Sequence, residues 1–162
     1  MEVPSRRARH ATVDPVVNGA QTGHGPEGEP VLISLTAPAR RSLVRGLVCD
    51  TGSGAPPGVP RLSADRPDTE IADFLAGIVH TDTGFVARTN SGERALAIVA
   101  ATVAALCGED IRLAMARPDI AFLTALKPPA VEALRGVLLA IETEKTEAAE
   151  AVIAALTVLE IG

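Results

Sequence analysis

Ile71, Phe74, Leu75, Ile78 and Val79 recur at i, i+3, i+4, i+7 and i+8, and this spacing constrains the fold more than any other feature. An apolar stripe of that period fits an amphipathic helix, with Asp68 or Thr69 as its cap. The stretch SGERALAIVAATVAALCG repeats the period. Ser91 caps it, Leu96, Val99, Val103 and Leu106 form one stripe, and Gly108 ends it. Ile98, Ala101 and Ala105 give this helix a second apolar face, which places it centrally, with neighbours on both sides.

Four further helical segments follow. EDIRLAMA is short, and PDIAFLTAL begins with Pro118 in its first turn. PPAVEALRGVLLAIE carries Val131, Leu134, Val137, Leu138 and Ile141 on one side. The closing stretch, TEKTEAAEAVIAALTVLEIG, has Thr143 as cap and Ala149, Val152, Ile153, Leu156 and Leu159 as its apolar face. The tight ETEKT junction predicts an antiparallel hairpin of the last two helices.

The front of the chain is built differently. Residues 1–67 hold eight of the 14 Gly and nine of the 12 Pro. They carry eight basic against six acidic residues, whereas residues 68–162 carry seven against fourteen. Residues 1–30 show no hydrophobic period and read as a flexible arm that orders on binding. VLISL, residues 31–35, is a strand candidate. In TAPARRSLVRGLV, Thr36 caps a predicted helix with Leu43, Val44, Leu47 and Val48 as its stripe and Arg40, Arg41 and Arg45 on or near the other side. DTGSGAPPGVPRLSADRP then reads as a linker, too rich in Gly and Pro for a helix or a central strand. FVART, residues 85–89, alternates enough for one short strand that could pair with residues 31–35.

The expected fold is therefore mainly α: a small bundle of about five helices with one or two short β-strands and a long irregular N-terminal arm. Its divisions are the arm at 1–30, a strand, basic helix and linker at 31–67, and a helical domain at 68–162.

Composition excludes several functions. The chain has 162 residues, no Trp, no Tyr and a formal charge of −5 at pH 7. With so few aromatics it offers no stacking platform for bases, and the acidic excess disfavours a duplex partner, so nucleic acid is not expected. No apolar run is long enough to span a bilayer and no secretory leader is evident; the expected location is cytoplasmic, with no membrane partner. Cys49 and Cys107 stand outside any CxxC pair, which argues against a zinc or thiol-redox centre. Cys107, ending an apolar run, reads as a small buried hydrophobe.

HTDTGFVARTNSGER, residues 80–94, is the most chemically varied stretch. Asp82 and Gly84 suit a turn, with Gly84 at positive φ, and Ser91 suits a cap, so the segment reads first as a connection. Its one catalytic reading sets His80 beside Asp82 or Glu93, as a base with an orienting carboxylate. No metal and no cofactor is expected, since His10 and His24 lie in the arm. Arg40, Arg41 and Arg45 are candidates for contact with an acidic partner or anion.

With no dominant site, the wide apolar helix faces point to a non-enzymatic assembly or adaptor protein that binds a protein partner or self-associates. The alternatives are a regulatory helical domain that holds a small apolar ligand or a transcription partner, and an enzyme or accessory subunit that uses the His80–Glu93 loop.

Overall fold

A computed structural model describes residues 41–54, 56–144 and 146–160. The described residues form six helices and one four-stranded parallel sheet, so the architecture is α/β and not a helical bundle. The strands are β1 (Val48–Asp50), β2 (Arg61–Ser63), β3 (Phe85–Arg88) and β4 (Leu138–Thr143), in the order β1-β4-β3-β2. The helices are α1 (Asp68–Ile78), α2 (Gly92–Cys107), α3 (Ile111–Ala116), α4 (Ile120–Thr124), α5 (Pro128–Val137) and α6 (Thr146–Thr157).

Where caps and period agree, the expected helices form. Ser91 accepts the Arg94 N–H at the start of α2, and Gly108 ends that helix in the left-handed region at φ 72. α2 is buried along much of its length and packs against α1, α3, α5 and α6. At α1 the cap position falls on Pro67, with no side-chain capping bond, and Asp68 joins the first turn as a favourable acid. Pro118 lies just before the Asp119 cap of α4 rather than inside the helix.

The expected last helical hairpin is replaced by α5, β4 and α6. α5 stops at Val137, and residues 138–143 form the strand seated between β1 and β3, with Thr143 in that strand. A short continuous apolar run satisfies both a helix and a strand buried on both faces, and pairing on both edges decides the outcome here. β3 pairs Phe85 with Leu138 and Val86 with Ala140, so Leu139 is an extra residue and β4 bulges there.

The predicted basic helix is also not formed within the described residues. Residues 43–47 make turns with Gly46 at φ 68, and Val48–Asp50 is strand β1. The predicted linker contains β2, an edge strand on β3, so residues from both sides of position 67 build one sheet. The arm and the 31–35 strand candidate lie outside the described residues; β3 pairs with β2 and β4.

The sheet has two unlike faces because side chains alternate along each strand. Phe85, Ala87, Leu62 and Ile141 join the helix residues Ile71, Leu75, Ile98 and Leu134 in one buried core. On the opposite alternation stand Val86, Ala140, Glu142, Arg88 and Arg61. The chain after β1 runs close to this face at Gly54, where an added Cβ would lie 2.8 Å from Ala140 Cβ and 2.8 Å from Cys49 Sγ. Gly84 likewise serves a close approach, to Leu139 and the Gly136 carbonyl, and is not among the positive-φ glycines. No helix among the described residues is long and apolar enough to cross a membrane.

Candidate functional site

Gly108 reverses the chain after α2, and two short helices capped by aspartates follow. Asp110 Oδ1 accepts the Leu113 N–H at 2.9 Å, and Asp119 Oδ1 accepts the Phe122 N–H at 2.9 Å. Met115 and Leu123 turn inward and are buried. Leu113 and Phe122 are left outward, 59% and 49% exposed. They flank a concavity of about 540 Å³ that is floored by Ala100, Val103 and Ala104 of α2. Glu109, Asp110 and Asp119 stand on its rim, with Arg117 as the single cation among the described lining residues. A groove this size with an apolar floor, two large exposed apolar side chains and an acidic rim is suited to an apolar segment flanked by basic residues. The sequence carried a faint signal for it: Leu113 and Phe122 are the apolar residues left over once Met115 and Leu123 are assigned to the core.

The loop residues singled out from sequence do not converge. His80 and Asp82 precede β3 while Glu93 follows it on α2, so the strand separates them, and all three are exposed. No hydrogen bond or ion pair joins them, and among the described residues no three His, Cys, Asp or Glu side chains cluster to hold a metal ion. Thr81, not Asp82, makes the turn bonds here, through Oγ1 to the Ile78 and Thr83 carbonyls. Of the arginines, Arg41 donates to Glu132 at 3.4 Å and Arg45 is exposed beside two shallow cavities; Arg40 lies outside the described residues.

Two charged groups that pattern reading overlooked are buried. Glu142, in the run LLAIET, is 1% exposed, and Arg88 Nε donates to its Oε2 at 2.8 Å while Arg61 Nε stands at 3.8 Å. Burial pushes the carboxyl's proton affinity up. The Arg88 hydrogen bond, the Gly52 N–H and the charges of Arg88 and Arg61 outweigh that push and hold it below the usual glutamate range. The Gly52 approach is loose, since Oε1 has no partner at hydrogen-bonding geometry. The pairing is a tie between β4, β3 and β2. The second group is Arg135, 7% exposed, whose Nη2 comes within 3.5 Å of the Gly46 carbonyl.

Cys49 is not set up as a nucleophile. Burial, then the charges of Glu142 and Asp50, push the Cys49 thiol up, which keeps it protonated at neutral pH. Cys107 is exposed, not buried as its apolar run suggested, because α2 ends there and turns away. The chain matches no family model, no curated protein and no solved structure.

Proposed function

We propose that the chain is a non-enzymatic adaptor that binds a partner protein through the groove between α2, α3 and α4. The observation that carries this reading is the pair Leu113 and Phe122, held outward over an apolar floor inside a rim of Glu109, Asp110 and Asp119. Two large apolar side chains fixed in this way are anchors whose burial on a partner contributes about 1.5–3 kcal/mol each. The acidic rim selects an apolar helix flanked by Lys or Arg. It also disfavours a second copy of this chain, because residues 68–162 carry twice as many acids as bases.

The test uses a labelled amphipathic peptide with Leu at helical spacing and Lys at both ends, and a counterpart with Glu at the ends, titrated into the full chain by fluorescence anisotropy. The Lys-flanked peptide should bind, the Glu-flanked one about tenfold or more weaker, and Leu113→Asp or Phe122→Asp should abolish binding without changing helicity. Equal binding of both peptides, or binding unchanged by either substitution, overturns the reading. So does a chain that light scattering shows to be a dimer and that Phe122→Asp makes monomeric, which assigns the groove to self-association.

A further inference from the structure

Arg135 is the one buried cation without a carboxylate among the described residues. It sits near the end of α5 and is 7% exposed, and its only hydrogen bond to the described residues is a limiting 3.5 Å contact from Nη2 to the Gly46 carbonyl. Nε and Nη1 are sealed from solvent and meet no acceptor among the described residues. A guanidinium does not escape such a place by losing its proton, unlike a buried lysine. Burial, then the charge of Arg41, lowers its proton affinity, and Glu132 only partly opposes them.

The surroundings are short of negative charge. Arg41 takes Glu132 at 3.4 Å, with both side chains half exposed. Ser42 Oγ donates to Glu160 at 2.9 Å. Arg45, on the same turn, is exposed and makes no ion pair among the described residues. Three arginines therefore share two carboxylates, and neither carboxylate reaches Arg135. A cavity of about 320 Å³ opens beside the turn, lined in part by Ser42, Arg45, Val131 and Glu160; Arg135 lies behind its wall and is not part of it.

We propose that Arg135, with Arg41 and Arg45, forms a binding site for a small oxyanion, a phosphate or a carboxylate, at the turn of residues 42–46. The anion enters where the Arg41–Glu132 pair parts, an exposed contact of little strength. It supplies the acceptors that Nε and Nη1 lack, through charge-assisted hydrogen bonds. The site is independent of the α2–α3–α4 groove, which contains none of these residues.

Thermal unfolding of the full chain in sodium phosphate, and separately in sodium acetate, each against sodium chloride at matched ionic strength, tests this. A saturable rise in Tm is expected in at least one series, phosphate alone marking a phosphate site and acetate alone a carboxylate site. Arg135→Met should lose the saturable part, with apparent affinity falling about tenfold or more. Glu132→Gln removes the competing carboxylate and should move the midpoint to lower anion concentration. No saturable rise in either series overturns the proposal, as does an equal rise in Arg135→Met. Should Arg135→Met fail to fold, Glu132→Gln decides: an unshifted or raised midpoint overturns the proposal, and a lowered one upholds it.

Discussion

Replacing Glu142 by Gln keeps the shape of the side chain and removes its charge from the middle of the sheet. Its side chain is fully sealed, so the pairing is not weakened by water on the carboxylate side. The Arg88 bond at 2.8 Å is charge-assisted and contributes about 1.5–3 kcal/mol. Arg61, at 3.8 Å and 30% exposed, adds at most about 1 kcal/mol. Against these stands the cost of burying a carboxylate, which Gln relieves in part, and a neutral bond from Arg88 that Gln retains. The balance is a loss of about 2 kcal/mol at pH 7. Because the folded carboxyl is held below its unfolded value of about 4.3, the contribution is complete above that pH and is lost as pH falls through the folded value. Urea unfolding followed by far-UV circular dichroism, at pH 7 and in steps toward pH 3.5, should therefore show a gap between the two chains that narrows in acid. A gap that stays constant with pH would refute the ion-pair argument. A variant as stable as the parent at pH 7, or more so, would show that desolvation exceeds pairing.

Two glycines give independent checks of the packing. Gly92→Ala should cost about 1–3 kcal/mol in the same denaturation assay despite the better helix propensity of Ala, because its Cβ would come 2.6 Å from Ala155 Cβ and 2.8 Å from the Ala151 carbonyl, forcing α2 and α6 apart. A neutral or stabilising result would mean that the two helices separate freely. Gly108→Ala has open space around it and should cost only about 1 kcal/mol, from backbone strain at φ 72, with Gly108→Asn recovering part of the loss.

The legible parts of this fold are those whose signals are local. α1 and α2 announce themselves through a 3.6-residue period, and α2 also through Ser91 and Gly108, which need no knowledge of the rest of the chain. β1 and β2 are three residues each, too short for any period to show, and they exist because longer strands offer them an edge. LLAIET is the instructive case. Its apolar positions continue the stripe of Val131 and Leu134 so well that helix is the natural reading, and Gly136 is the only local hint of a break. What settles the matter is pairing with Phe85–Arg88 and Val48–Asp50, far away in sequence, and parallel pairing of that kind leaves no mark on the strand itself.

The same non-locality hid the buried charges. Read as the end of a helix, Glu142 belongs in water; as a strand residue it lies beneath Arg88, 54 positions earlier, and its burial becomes intelligible. Arg135 stands beside the inward Leu134 on α5, and its burial depends on the turn at residues 42–46, which the sequence had suggested was helical. Leu113 and Phe122 are the converse, apolar residues that the tertiary structure declines to bury. Each of these positions departs from its local pattern for a reason that only packing supplies. Such departures are where sequence-level consistency gives way to other demands on a chain, which is why the groove and the Arg135 turn, rather than the regular helices, are the places to look for binding.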